Sequence, residues 1–497
     1  MIYDFIIIGG GISGLYILDN ILTKYPHLTG RLLERSLKTG GQIKTEYDKN
    51  LNTLFEKGPW RIHHSHKHIL ELIKNLNLSL NVVSSSLPTS HKLTYDICKH
   101  QKYKTKKKPL RIKRKNKTST SGISYRDNLI SDTGICNYYE KSSFSRLPLT
   151  MDISSKPYDV NLQYRGKYYV VKEGFQEIIN KLTNKYQEYI FFNSMVINIQ
   201  KTLNEYKIVY QFRDKNTYYE KNIYCKNVFL CLPPHYTTNW DIVKNNLLPL
   251  VYAVDTMPLH HIYAQSKNIQ EFYNNSFYIN TNSQLTNIIS GDFNNNWFQI
   301  SYSGGENARY WNRLKLNNPK QFKQSLIKCL RRLNINIEIN KIKSFYWEKA
   351  IHYWKPTYKF NLKECVKNSI CPHPTNLPNL YWGCEAFSSK QGWIEGALLN
   401  CNMVMLKFIE HQKNIGRIFR PLKRTKHDDY VIIDNRYIDV SKWKYVHPGS
   451  YKAIQSHLKE DISKLFRQIK HSENSWAILY NLQKAWVNKE GSFVITT

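Results

Sequence analysis

The sequence predicts an α/β fold with a parallel sheet at its centre, an inserted α+β region, and a small separate α+β unit near its end. Three observations carry this. An uninterrupted apolar run, Phe5 to Ile8, leads into G-x-G-x-x-G (Gly9, Gly11, Gly14), and Leu15, Leu18 and Leu22 follow at helical spacing. A second glycine-containing block, L-Y-W-G-C-E-A-F-S-S-K-Q-G-W-I-E-G-A-L, spans 380–398. Beyond a basic, irregular stretch at 413–427 the pattern changes to short strands, short helices and two histidines 24 residues apart.

The first element is the most specific. A strand that ends in this glycine pattern and opens a helix, with an acid 20 residues later (Glu34, after the strand Arg31 to Leu33), is the dinucleotide fingerprint of a Rossmann-type domain. Gly9 allows the tight turn, Gly11 lets backbone approach a pyrophosphate, and Gly14 lets helix and strand pack closely. The helix N-terminus favours the phosphate charge, and Glu34 accepts from a ribose hydroxyl. Ser13, in the first helical turn, joins these candidates, as do Arg35, Gly40, Gly41 and Gln42 just downstream.

Then comes F-E-K-G-P-W-R-I-H, Phe55 to His63. A dinucleotide fingerprint, an acid, a G-G pair and an acid-x-G element in this order resemble the flavin amine oxidase superfamily, which includes monoamine and polyamine oxidases and protoporphyrinogen oxidase. The F-E-x-G-P form is most similar to the protoporphyrinogen oxidase branch. The resemblance implies FAD, and an amine-like small-molecule substrate. No Cys stands where members with covalent flavin have theirs, so non-covalent FAD is implied.

The 497 residues suffice for two or three domains. A net charge of +34 favours polyanions, although Lys, Asn, Ile and Tyr are over-used together, as an AT-rich genome would dictate. Nine scattered Cys without C-x-x-C pairs argue against a disulfide framework and for a reducing compartment. The apolar start lacks a basic n-region, contains Asp4 and is already used by the nucleotide fold, so it does not read as a signal peptide. No run reaches the roughly 18 apolar residues of a membrane span, and the expectation is a soluble intracellular protein, cytoplasmic, nuclear or virion-associated.

Along the chain, H-I-L-E-L-I-K-N-L reads as a helix, and Lys99 to Lys117 carries 11 Lys or Arg and no acid. That run reads as a surface insertion, either a solvated loop or a patch for nucleic acid. Tyr168 to Leu182 is a strand, a turn and a helix; Met195 to Gln200 and Glu205 to Phe212 form a hairpin. Val196 matches the family position whose backbone meets the adenine, and Val228 to Pro234 matches its apolar strand ending in P-P. Pro319 to Leu333 is an amphipathic helix.

The block at 380–398 matches the family's G-x-D/E and G-W/Y-x-E-G-A at Gly383, Glu385, Gly392, Trp393, Glu395, Gly396 and Ala397. The resemblance implies that Glu385 and backbone around Trp393, Ile394 and Ala397 hold pyrophosphate and ribityl chain, with Trp393 near the isoalloxazine. It implies an aromatic pair formed by Trp393 with Tyr353 or Trp354. The Lys that many members place near the flavin is absent, Ala264 standing there in M-P-L-H-H-I-Y-A, with His260 and His261 close by. Two family Arg positions on the flavin phosphates read Ser36 and Gln42. The resemblance covers about residues 1–412, with FAD-binding parts at about 1–80, 165–258 and 345–412 and substrate parts at about 81–164 and 259–344.

From 428 to 497 the chain resembles the cytochrome b5 haem-binding domain. Asp439, Val440, Ser441, Trp443, His447, Pro448, Gly449, Asp461, Ser463, Phe466, His471 and Ser472 fall on its pattern, and Ser450 replaces its second Gly. The resemblance implies haem b with His447 and His471 as axial ligands, because low-spin haem needs two neutral imidazoles from opposite sides of an apolar slot. The leading expectation is an FAD-dependent oxidoreductase that passes electrons from its substrate through FAD to haem and on to a one-electron acceptor, or to O₂. The alternative is a catalytically degenerate flavin-fold protein with a structural or nucleic-acid-associated role.

Overall fold

The computed structural model describes residues 2–50, 52–84, 91–93, 167–215, 217–267, 278–281, 283–289, 295–355, 361–416, 429–433, 436–441, 443–445, 447, 451–469, 483–487 and 493–494. The basic run at 99–117 and the second histidine, His471, lie outside them. The chain divides into two compact units, Met1–Phe408 and Ile409–Thr497.

The first unit is built on a seven-stranded sheet. Its order is Ser194–Lys201, Tyr206–Asp214, Thr217–Leu230, Ile2–Ile8, Gly30–Leu33 and Ile190–Phe191, with Leu380–Trp382 also paired to Thr217–Leu230. Ile2–Ile8 runs parallel to both neighbours, and Leu380–Trp382 runs parallel to Thr217–Leu230. The apolar run that predicts the first strand also explains its double burial. Phe5 and Ile7 enter one core with Leu15, Leu18, Ile178 and Leu398, while Ile6 and Ile8 enter the other with Val228, Trp354 and Trp382.

Close approach fixes the glycines. A Cβ on Gly14 would stand 1.9 Å from the Gly9 carbonyl oxygen, and Gly9 itself has φ +106°. Gly14→Ala therefore pushes the helix Ile12–Lys24 off the first strand. It is expected to cost about 3 kcal/mol or more, read as a lower urea midpoint.

The second layer is a six-stranded sheet in the order Lys341–Trp354, Val254–Gln265, Trp297–Gly304, Asn287–Ile289, Tyr278–Thr281 and His91–Leu93. Helices Gly305–Asn317 and Pro319–Arg332 bury Trp311, Phe322, Leu326 and Leu330 against it. The Asn318 side chain accepts from Gln321 N–H and caps the second of these. Val254–Gln265 pairs along its whole length with Lys341–Trp354. The sequence boundaries near 258 and 344 thus fall inside two strands that pass from one layer to the other. Nothing local in the sequence marks this, because the continuity comes from the pairing.

The second unit has a four-stranded antiparallel sheet in the order Tyr430–Ile433, Arg436–Asp439, Gln483–Val487 and Phe493–Val494. Its small core joins Val431, Ile433, Ile438 and Val440 to Ile454 and Phe466. The helix Ser463–Gln468 starts where Asp461 Oδ1 accepts from Ser463 N–H at 2.9 Å.

Candidate functional site

Four mutually parallel strands end on one edge of the large sheet. Gly9 to Gly14 follow Ile2–Ile8, Glu34 and Arg35 follow Gly30–Leu33, Cys231 to His235 follow Thr217–Leu230, and Gly383 to Glu385 follow Leu380–Trp382. That edge is where open α/β sheets bind ligands.

Gly11 is the N-cap of Ile12–Lys24, with extended backbone and no side-chain cap. A Cβ built on it meets nothing within 4 Å. The turn at Gly40, which bridges to Gly11 and donates its N–H to Gly10 O at 2.8 Å, brings the second glycine pair against the first loop. An uncapped helix end facing open space beside glycine backbone fits a pyrophosphate. Ser13 is buried in the first helical turn.

Glu34 is buried, and its two oxygens accept from Gly10 N–H and Ser36 N–H, each at 2.8 Å. The carboxylate is thereby oriented, with lone pairs left for a ribose hydroxyl. Arg35 lies over the Tyr236 ring at 4.8 Å, and Gln42 donates to Lys349 O at 2.8 Å. The first is thus engaged with an aromatic face and the second with backbone of the facing strand. Val196 is half-buried at the bulge of the Ser194–Lys201 strand.

The late block folds onto the same edge. Gly383 donates its N–H to Leu230 O, and a Cβ there would press on Ile17 at 2.9 Å. Glu385 accepts from Gly392 N–H and pairs with His352 Nδ1 at 2.6 Å. Trp393 is half-buried beside His66, ring centroids 4.7 Å apart, with the Arg61 guanidinium 5.6 Å from its ring. Ile394 and Ala397 are buried in the first turn of Ile394–Gly416. Glu395, 2 % exposed, accepts from Ile69 N–H at 3.1 Å and pairs with His68 at 2.9 Å, locking this block to the helix Lys67–Asn75.

Strand alternation separates the substrate-side candidates. Tyr353 clusters with Met257, Leu259 and Tyr302, with Trp60 packed against them. Trp354 points the other way into the core of the large sheet, donating to Ser388 O at 3.2 Å. His261 is buried against Tyr302, its Nδ1 3.1 Å from Gln299 Nε2. His260 is fully buried on the opposite face of the strand, and burial followed by the Lys315 charge pushes its pKa down to about 3. Ala264 packs with Ile262 in the sheet–helix core. The structure therefore separates Tyr353 and His261 from Trp354, His260 and Ala264. The sequence offered no signal for which parity faces which layer.

Glu56, of F-E-K-G-P, accepts from Phe175 N–H at 2.9 Å and from Thr45 Oγ1 at 2.8 Å. Burial raises its pKa to about 7. The folded state then holds this proton more tightly than the unfolded one, so stability is full below about pH 4.5 and falls as pH rises toward 7. The loss is roughly 3 kcal/mol across that window. Glu56→Gln, which cannot ionise, is expected to flatten this slope in urea titrations at pH 5 and pH 8; an unchanged slope rules Glu56 out as its source.

In the second unit His447 is half-buried, just past the Trp443–Tyr445 turn. Lys444 anchors that turn by pairing with Asp429 at 2.8 Å.

Fold and site together define an α/β unit with an open, glycine-lined helix end at its sheet edge, followed by an α+β unit. The profile of the family "flavin containing amine oxidoreductase" matches residues 22–150, and that of the "cytochrome b5-like heme/steroid binding domain" matches residues 420–487. L-amino-acid oxidase of Trimeresurus stejnegeri is 24% identical over 249 residues, 43% of this chain. The chain spans about half (48%) of that relative's length. Cyclohexylamine oxidase from Brevibacterium oxydans superposes with a TM-score of 0.62 at 12% identity, over 83% of this chain and 100% of that one. Putrescine oxidase bound to putrescine gives 0.58 at 12% identity, over 82% and 99%. The first unit thus shares the fold of these oxidases, and residues 420–487 match the cytochrome b5-like profile. Among the described residues no helix is long and apolar enough to cross a membrane.

Proposed function

We propose that the chain is an FAD-dependent oxidoreductase of the amine oxidase type that takes electrons from an amine-like substrate and passes them to a b5-type haem in the same chain. The observation that carries this is the open space over Gly11 at an uncapped helix end, on the edge where four parallel strands end. Gly9 to Gly14 and the helix behind them would hold the pyrophosphate. Glu34 would hold the ribose, Val196 the adenine, and Glu385 with backbone at Trp393 to Ala397 the ribityl side. When bound, FAD supplies hydride acceptance from carbon next to nitrogen, and haem supplies one-electron exchange.

The chain's own part is positioning and exclusion of water. Tyr353, Tyr302, Trp60 and Met257 form an apolar cluster, and Arg61 and His66 brace Trp393. His447 and His471 would hold the haem iron. The acceptor beyond haem, or O₂, and a polyanion at 99–117 complete the proposal, as does a soluble intracellular setting.

A second reading, a degenerate flavin fold, is favoured by Ala264, which puts no amine at the position of the family Lys. An absorption spectrum of the purified protein, followed by anaerobic mixing with a panel of amines, tests both. Flavin bleaching supports turnover, whereas flavin that no amine reduces supports the second reading. Absence of flavin from freshly purified and FAD-supplemented protein overturns the first.

A further inference from the structure

We propose that the open face of the strands Ser194–Lys201, Tyr206–Asp214 and Thr217–Leu230 binds single-stranded nucleic acid. The inference does not depend on the flavin or haem readings.

Ile2–Ile8 pairs with Thr217–Leu230 only from Tyr224 onward, so the first half of that strand runs past the parallel sheet as a ribbon paired with Tyr206–Asp214. The two faces of the ribbon differ. Tyr206, Ile208 and Tyr210 enter the core, with Phe212 and Ile223 packed against it. Strand alternation turns Lys207, Arg213, Tyr218 and Tyr224 to the other face. That face is open. Tyr218 is 58 % exposed and Tyr224 38 %, and Arg213 is exposed beside them. On the adjoining strand Met195 and Gln200, in register with Gln211 and Lys207, are exposed as well.

The open face carries the same device at both ends. Arg213 lies opposite Tyr218 and Lys207 opposite Tyr224, so a cation and a tyrosine stand side by side twice. The Arg213 guanidinium is 5.7 Å from the Tyr218 ring, steadied by its Nε bond to Lys215 O at 3.1 Å. The two pairs are six residues apart along either strand, about 20 Å, a span that a few extended nucleotides cover. A cation that takes a phosphate beside a ring that takes the face of a base is the chemistry of single-strand binding. A polyanion without bases would use the cations and leave both rings idle.

Charge favours the same partner. From Lys207 to Lys221 the hairpin carries Lys207, Arg213, Lys215 and Lys221 against Asp214 and Glu220, in a chain of net charge +34. A second copy of the chain, equally basic, is repelled. The run at 99–117 adds 11 Lys or Arg but a single ring, Tyr103. Base stacking therefore falls to the sheet face.

The test is fluorescence anisotropy of labelled oligothymidylate and oligouridylate of about 12 nucleotides with the full-length protein over a salt series, the two probes telling DNA from RNA. Tyr218→Ala and Tyr224→Ala remove no charge. Each is expected to weaken binding roughly fivefold or more with an unchanged salt slope. Tyr219→Ala, 49 % exposed on the opposite face, should bind as the parent does. Arg213→Gln should reduce the slope of log K against log salt by about 0.7, the value for one phosphate on a single strand. Affinity for inorganic polyphosphate should be the same in the parent and both tyrosine variants. Should one tyrosine variant fail to fold, the other still decides. Tyr218 and Tyr224 variants that bind both probes within about twofold of the parent overturn the inference. So does an equal loss of affinity for polyphosphate or for vesicles of anionic lipid, which would make this a general anion or membrane surface. A parent that binds neither oligonucleotide overturns it outright.

Discussion

Gly11→Val is expected to fold as the parent does and to carry no flavin. The backbone at Gly11 is extended, φ −76° and ψ −175°, a conformation any residue adopts, and its Cβ direction is empty to 4 Å. Valine there creates no clash within the protein. It fills the space over the uncapped helix end with an isopropyl group, so the phosphate loses both its room and its N–H donors. The affinity loss should exceed a hundredfold, or roughly 3 kcal/mol. The melting temperature without FAD should stay at the parent value, and the ratio of flavin to protein absorbance should fall to zero. Parent-level flavin in this variant sinks the assignment. Gly14→Ala gives the contrast, because it fails through packing whether or not FAD is present.

His447→Ala and His471→Ala should each abolish a low-spin haem spectrum under haem-replete expression. Loss of one imidazole leaves a five-coordinate or empty iron. Neither change should alter flavin content, because every group assigned to the dinucleotide lies in Met1–Phe408. Either variant keeping the low-spin bands identifies another ligand. Absence of haem in the parent refutes the site outright. If parent haem is present but stays oxidised after anaerobic reduction of the flavin by an amine, the site stands and the electron path falls.

The glycine loop and the late block were legible because their constraints are local. A positive φ at Gly9 or Gly392, or the lack of room for a Cβ at Gly14, leaves a compositional mark that spacing alone reveals. The paired groups left none. His352 meets Glu385 across 33 residues, and Glu395 meets His68 across 327. Tyr353 and Trp354 are equivalent in the sequence, and only sheet pairing decides which of them faces the second layer. Arg35 and Gln42 were well placed by number, but side-chain direction took them to Tyr236 and to Lys349.

The first and last parts of the flavin layer are also stitched together by side chains. Tyr16 donates to Asn402 Oδ1 at 2.8 Å across 386 residues, and Cys401 Sγ lies 3.7 Å from Ser13 O across 388. During synthesis the glycine loop therefore leaves the ribosome long before the helix that backs it. Its first strand pairs early with Gly30–Leu33 but must wait for Thr217–Leu230 on its other side, and the sheet edge for Leu380–Trp382. Such distant closures make a nascent chain slow to settle and exposed to off-pathway association. Cofactor capture is consequently a late event, coupled to release of nearly the whole flavin layer, and chains stopped before about residue 400 should emerge without flavin and depend on chaperones.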